Sequence, residues 1–144
     1  MGRKTEYNEE IANTICELIA TSSKGLNIIC RDTENLPAPS TVYKWLSEQP
    51  EFSEKYARAR EIQADLLADE IIEIADETSN DTIINDTGEH PNSEWISRSR
   101  LRVDARKWKA SKLAPKKYGD KVDVTSNGET VKQVFQINGV DIEF

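Results

Sequence analysis

Apolar residues recur at helical spacing in three short segments near the start of the chain. In residues 9–21 they form a single stripe of isoleucine, leucine, alanine and cysteine, which predicts an amphipathic helix. A second short helix is expected over Leu26–Asp32 and a third over residues 41–48. Gly25 is expected to stop the first helix in a left-handed conformation, and Ser40 is expected to cap the third helix.

A longer helical pattern, about residues 51–77, opens at Pro50, because proline is tolerated at a first helical position. Its apolar residues fall on more than one side, so this helix needs more than one neighbour. Residues 78–93 are rich in Asn, Asp, Thr, Gly and Pro, which is typical of a connecting loop. A second long helix is predicted over residues 94–113 and ends before Pro115.

The apolar period changes from helical to alternating beyond residue 121, which predicts short strands. Two Asn-Gly dipeptides, at 127–128 and 138–139, are strong signals for two-residue hairpin turns. The expected fold is therefore mainly α, with a short C-terminal β segment. We predict a helix-turn-helix domain over residues 1–50, a helical hairpin for oligomerisation over residues 51–114, and a β segment over residues 115–144.

Charge is arranged in blocks that the net value of −7 conceals. Residues 61–97 contain 11 acidic residues and no Lys or Arg, whereas residues 98–121 contain 10 Lys or Arg and 2 acidic residues. This alternation predicts that an acidic and a basic helix pair with each other. The alternative is two independently solvated charged faces.

Few residues in this sequence suit catalysis or metal binding. Cys16 and Cys30 occupy apolar helix positions, where reduced core thiols are expected rather than a disulfide. His90 is the only histidine, so Cys/His zinc sites and histidine-based triads lack their parts. The carboxylates of the acidic helix invite interpretation as a metal cluster, but no phosphate loop or nucleophile motif accompanies them. We expect no catalytic residue, no metal and no cofactor.

No apolar run approaches the roughly 20 residues that span a bilayer, and the N-terminus lacks a signal-peptide core. We therefore expect no membrane partner and a cytoplasmic protein.

The three short helices match a helix-turn-helix, in which the third helix lies in the major groove of DNA. With Val42 and Leu46 facing the core, Ser40, Thr41 and Lys44 point outward and Tyr43 lies at the margin. Hydroxyl and ammonium groups suit phosphates and base edges. A plain protein-binding module is the alternative. The predicted DNA-binding residues are Arg3, Lys4, Lys24, Arg31, Ser40, Thr41, Tyr43 and Lys44.

Five blocks of the sequence resemble a known family, in order over residues 7–121. They are STVYKWL at 40–46, FSEKYARA at 52–59, EIIEIAD at 70–76, LRVDARKW at 101–108 and PKKYGDK at 115–121. Together they resemble the small terminase subunits of tailed bacteriophages, the DNA-recognition component of a genome-packaging motor. Each block alone is a weak signal, and the five in order are specific.

The resemblance implies a helix-turn-helix that binds double-stranded viral DNA and a helical hairpin that builds a ring. In this family the ring presents DNA to a separate large subunit that holds the ATPase and nuclease. The expected location is the host bacterial cytoplasm, and the expected assembly is octamer-like. Two departures are the longer connection at residues 78–93 and a tail that matches only in position and β character.

Apolar stripes on the two long helices mark the residues expected to assemble the ring. They are Leu67, Ile71, Ile74, Leu101, Ala105 and Trp108. A helix-turn-helix transcription regulator, acting as a dimer on a palindromic site, is the alternative function. A structural ring that never touches DNA is a third.

Overall fold

The computed structural model describes residues 6–120 and, beyond them, four short strands within residues 125–143. The helices in these residues are α1 (Glu9–Ala20), α2 (Leu26–Asp32), α3 (Pro39–Glu48), α4 (Pro50–Asp76), α5 (Ser93–Leu113) and α6 (Pro115–Tyr118). The strands are β1 (Thr82–Asn85), β2 (Gly88–Pro91), β3 (Thr125–Ser126), β4 (Glu129–Thr130), β5 (Val134–Ile137) and β6 (Val140–Glu143). The predicted fold, mainly α with a helix-turn-helix and a C-terminal β segment, is confirmed.

Local capping explains where the first helices begin and end. The side-chain oxygen of Asn8 accepts a hydrogen bond from the Ile11 N–H at 3.1 Å, which satisfies a free donor in the first turn of α1. Between α2 and α3, Asn35 has a φ of 64°. Asparagine tolerates this left-handed conformation better than most residues, so the chain can turn there before α3.

Two of the predicted helix ends are wrong. Gly25 has a φ of −78° and a ψ of 163°, so it is the extended N-cap of α2 rather than a left-handed stop for α1. The third helix begins at Pro39 with Ala38 as its N-cap, and Ser40 lies inside its first turn. Proline already holds a helical φ and lacks the N–H that a cap would satisfy, which favours this earlier start.

The first three helices and the beginning of α4 enclose one hydrophobic core. Its buried residues are Ala12, Ile15, Ile19, Leu26, Ile29, Val42, Trp45, Phe52 and Ala59. Tyr7 packs edge-on against Trp45, with ring centroids 5.3 Å apart. Cys16 and Cys30 are free thiols packed against this core, as expected, and burial raises the pKa of both.

A smaller core lies between α4 and α5. Its buried residues are Ala64, Leu67 and Ala110, with Leu113, Ala114 and Tyr118 partly buried against them. Glu70 pairs with Arg106, while Asp65, earlier in α4, pairs with Lys117 beyond α5, so the two helices run antiparallel. The predicted helical hairpin is therefore present.

Charge pairing between the acidic and basic segments is confirmed only in part. The Arg106 Nε lies 2.5 Å from a Glu70 carboxylate oxygen, and the Lys117 Nζ lies 2.5 Å from Asp65. Tyr118 also donates its hydroxyl hydrogen to Asp65, at 2.6 Å. Within residues 6–120 these two ion pairs hold α4 to α5 and to the residues after α5, whereas Arg98 pairs with Glu94 inside α5. Both interpretations of the charge pattern therefore hold for some residues.

The connection at residues 78–93 is a β-hairpin rather than the irregular loop predicted. Strands β1 and β2 pair antiparallel, with Asn85 opposite Gly88. The Asn85 side-chain oxygen accepts the Thr87 N–H at 3.0 Å, and Gly88 has a φ of 114°, a conformation that favours glycine. Both strands are exposed along their whole length. A turn-rich composition is typical of tight hairpins as well as loops, which explains the error.

The last four strands form two antiparallel pairs, β3 with β4 and β5 with β6. Ser126 lies opposite Glu129, and Ile137 lies opposite Val140, so the pairs flank the two Asn-Gly dipeptides. The dipeptides themselves lie outside the described residues. Among the described helices, none is long and apolar enough to cross a membrane.

Candidate nucleic-acid interface

Helix α3 presents one continuous polar stripe on the side opposite the core. Ser40, Tyr43, Lys44 and Ser47 are exposed. Their spacing of three, four and seven residues places them on one face of an α-helix. On the other side of the helix, Val42 and Trp45 are 0% and 2% exposed, which fixes the rotation of α3.

Thr41 and Tyr43 have exchanged the positions expected for them on α3, because Tyr43 faces outward and Thr41 lies at the margin. Thr41 is half-buried, whereas the Tyr43 side chain is 55% exposed and belongs to the outward face. The buried line runs through Val42 and Trp45, with Leu46 only half-buried beside it. Thr41 is four residues before Trp45 and therefore lies on the flank nearer the core. Ser47 was missed, although its spacing of seven from Ser40 was a usable signal.

Lys44 supplies the positive charge of this stripe. Its ammonium lies 3.7 Å from the Glu48 carboxylate, and both side chains are more than half exposed. Such a pair contributes little free energy, because water solvates both groups. The ammonium can therefore exchange its partner for a phosphate oxygen.

Lys24 and Arg31 converge on a residue that sequence reasoning overlooked. The Lys24 Nζ lies 3.5 Å from one Asp32 carboxylate oxygen, and the Arg31 Nε lies 2.9 Å from the other. The hydrogen bond from Arg31 and then that from Lys24 hold the pKa of Asp32 below its ordinary value. The three groups together carry one net positive charge. Arg3 and Lys4 lie outside the described residues.

The turn that carries Lys24 is held from α4 by Gln63, which is 1% exposed. The Gln63 amide donates to the carbonyl oxygens of Ser22 and Lys24, at 2.5 and 3.0 Å. Its own oxygen accepts a hydrogen bond from Arg60 at 2.7 Å. A lone glutamine on a long helix gives no signal of such a role in the sequence, because the contact spans about forty residues.

The residues expected to build the ring fall into two groups. Leu67 and Ile74 are buried and Ile71 is half-buried, so the residues on α4 contribute to the hairpin itself. Ala105 is exposed on α5, and the Leu101 and Trp108 side chains are 66% and 63% exposed. The apolar residues on α5 are therefore available to a neighbouring molecule.

The acidic residues of α4 do not form a metal centre with their neighbours. In the part of the chain that the structure describes, no three His, Cys, Asp or Glu side chains come together as metal ligands would. Asp69, Glu73 and Asp76 are exposed along the helix. The expectation of no catalytic residue stays a prediction.

Comparison with known families identifies the relatives of this fold. The family model for bacteriophage Sf6, terminase small subunit-like, matches residues 7–125. The chain belongs to this terminase small subunit family. Among curated proteins none is similar enough to match.

Solved structures of one family member have the same fold as this terminase small subunit. They are crystal structures of three single-residue variants of the terminase small subunit gp1 of the bacterial virus Sf6. Two variants are 37% and 36% identical, cover 84% of this chain and 88% of theirs, and give TM-scores of 0.67 and 0.68. The third is 37% identical, covers 86% of this chain and 90% of its own, and gives a TM-score of 0.68. The resemblance drawn from the five sequence blocks is confirmed.

Proposed function

We propose that this terminase small subunit recognises double-stranded viral DNA with the outward face of α3. The observation that carries the proposal is the stripe of Ser40, Tyr43, Lys44 and Ser47, which lies over a closed apolar core. A rigid helix with exposed hydroxyls and one ammonium suits the major groove, where phosphate contacts position a protein and base contacts specify sequence. Family membership favours a packaging protein over a transcription regulator.

We further propose that α4 and α5 assemble the subunit into a ring, octamer-like in copy number. Support comes from the exposed apolar side chains of both helices, which one chain does not bury. A ring gathers several DNA-binding units, so weak individual affinities combine into avidity when the geometry lets several units engage. The ring would then deliver DNA to the large subunit that holds the ATPase and nuclease, in the host bacterial cytoplasm.

DNA binding is tested by a salt titration of wild type and Lys44→Ala. Because a lysine at a phosphate contributes salt-dependent affinity, Lys44→Ala should weaken binding to all sequences. The logarithmic salt slope should become shallower by about one unit per engaged protomer. Lys55→Ala is the matched control, since Lys55 lies on α4 beside Glu9 and Asn13, away from the α3 stripe.

A chain truncated after Lys121 separates DNA binding from delivery. It should keep nearly all of its DNA affinity while its binding to the large subunit weakens. Unchanged binding in Lys44→Ala, together with lost binding in the truncated chain, would place the DNA site in the tail and refute the proposal.

We also propose that the subunit performs no chemistry of its own, because no phosphate-binding loop or two-metal motif is found in its sequence. Purified protein should neither hydrolyse ATP nor cut DNA. ATP turnover that disappears in Asp69→Ala would contradict this.

A further inference from the structure

The buried amide of Gln63 stands apart from the rest of α4. It lies after Ala59, the last buried residue of the first core, and immediately before Ala64, the first of the second core. It is 1% exposed, and it is the only buried polar side chain among the residues that the structure describes. Burying an amide is unfavourable unless its hydrogen-bonding groups are paired, so the partners of Gln63 indicate what it does.

The hydrogen-bond partners of Gln63 are the backbone of one turn and the side chain of one arginine. Its amide nitrogen donates to the carbonyl oxygens of Ser22 and Lys24, which belong to the connection between α1 and α2. Its oxygen accepts from Arg60, which also donates to the Tyr56 hydroxyl oxygen at 2.8 Å. The amide orientation is therefore fixed from both ends, because only one assignment of its nitrogen and oxygen satisfies these donors and acceptors.

The turn is also braced from within. The Lys24 N–H donates to the Ser22 hydroxyl oxygen at 3.1 Å, and the Lys24 ammonium reaches Asp32 at the end of α2. Gly25, the next residue, is the N-cap of α2 and makes no side-chain cap. The Gln63 contacts to Ser22 and Lys24 thus tie the backbone that immediately precedes α2 to the long helix.

We propose that Gln63 is a positioning residue for DNA binding, which holds the turn between α1 and α2 so that Lys24 is presented to the phosphate backbone. This inference rests on the proposed DNA-binding function. Gln63 itself does not touch DNA, since its side chain is buried. Its position between the two cores also means that α4 sets the placement of Lys24 relative to the hairpin.

The test is a double-mutant cycle on DNA affinity in the full chain. Gln63→Met keeps the side-chain length but leaves both carbonyl oxygens unpaired, and we expect about five- to tenfold weaker binding with a shallower salt slope. Lys24→Ala should give a similar loss. If Gln63 acts through Lys24, the double variant should bind DNA with about the affinity of whichever single variant binds less tightly, because the two changes remove the same contact.

Lys44→Ala is the control variant whose effect on DNA affinity should be independent of Gln63. Lys44 pairs with Glu48 on its own helix and shares no hydrogen bond with Gln63, so its effect should multiply with that of Gln63→Met. Asn13→Ala is the matched structural control, because it removes another hydrogen bond between α1 and α4, from Lys55 at 3.2 Å, without touching the turn. Its DNA affinity should equal that of the wild type.

The outcomes separate this inference from the proposed function. If neither Lys24→Ala nor Lys44→Ala changes DNA affinity, the DNA site itself is wrong. If Lys24→Ala and Lys44→Ala both weaken DNA binding but Gln63→Met does not, Gln63 is not a positioning residue. The same conclusion follows if the effects of Gln63→Met and Lys24→Ala on DNA affinity multiply in the double variant.

A second variant covers the case in which Gln63→Met does not fold. Arg60→Met removes the donor that orients the Gln63 amide and leaves both contacts to the turn in place. It should weaken DNA binding less than Gln63→Met and should also be non-additive with Lys24→Ala. Multiplicative behaviour here would refute the proposal as well.

Discussion

The two halves of α4 belong to two regions that differ in how far their apolar side chains are buried. The N-terminal region, α1 to α3 with the start of α4, buries nine residues in one closed core and exposes a polar face. Among the described residues, the α4–α5 hairpin buries only four apolar residues, Ala64, Leu67, Ile74 and Ala110, while four of its large apolar side chains are more than half exposed. They are Ile62, Ile72, Leu101 and Trp108. The first region is complete as a single chain, whereas the second has apolar surface left for a neighbour.

The largest effect is expected from opening the closed core. Phe52 is 1% exposed and connects α4 to the first three helices. Phe52→Ala should lower the free energy of unfolding by about 3–5 kcal/mol, because it removes buried apolar surface and leaves a cavity. Chemical denaturation measures this. Ile84→Ala, at a side chain that is 83% exposed, should change stability by no more than about 0.5 kcal/mol. Equal effects of the two changes would contradict the burial of Phe52 in the closed core.

A smaller effect, on assembly rather than folding, is expected at Trp108. It lines a groove with Ala68, Ile71 and Tyr118 and is 63% exposed. If a neighbouring subunit covers this groove, Trp108→Ala should weaken association by about 2 kcal/mol per interface, roughly 30-fold, and leave helicity unchanged. Native mass spectrometry across a dilution series measures the association.

Ile71→Ala sharpens the same test, because Ile71 is half-buried and contributes to both the hairpin and the groove. It should lower both the melting temperature and the assembly size. If both variants retain wild-type assembly and melting temperature, the assignment of these helices to the ring is wrong.

The smallest effect concerns the ion pair that holds α6 on α4. Hydrogen bonds from Lys117 and then Tyr118 lower the pKa of Asp65 from its ordinary value of 3.8. A carboxylate whose pKa is lower in the folded state than in the unfolded state stabilises the fold at any pH above its unfolded-state pKa. That stabilisation is lost as the pH falls through its folded-state pKa. Asp65→Asn should lower the melting temperature by only about 1–2 °C at neutral pH, since the pair is exposed.

The pH dependence of that difference is the decisive observation. The melting temperatures of wild type and Asp65→Asn should converge as the pH falls below 3.8. A difference that persists unchanged in acid would show that the carboxylate charge does not hold α6 in place.

Helical periodicity predicted the main elements within one or two residues, because a buried apolar stripe on a long helix is a strong local signal. The errors arose where one local signal fits two structures. Gly25 suits the end of one helix and the start of the next, and Asn85 with Gly88 suits both a loop and a tight hairpin. Flanking residues alone do not distinguish these cases.

The candidate site was predictable only where it lies on one helix. The α3 stripe follows from spacing, apart from the rotation that exchanged Thr41 and Tyr43. The role of Asp32 depends on the path of the chain between Lys24 and α2, and that of Gln63 depends on packing across about forty residues. Such contacts are set by tertiary structure and leave no periodic trace in the sequence.

The β1–β2 hairpin has a practical consequence for measurement. Helix α4 contains 27 residues and is therefore about 40 Å long, which separates this hairpin from α1–α3. Both strands are exposed, so a short insertion between Asn85 and Gly88 disturbs neither apolar core. A fluorophore placed there would report the spacing of subunits in the proposed ring without disturbing the helix proposed to read DNA or the helices proposed to associate.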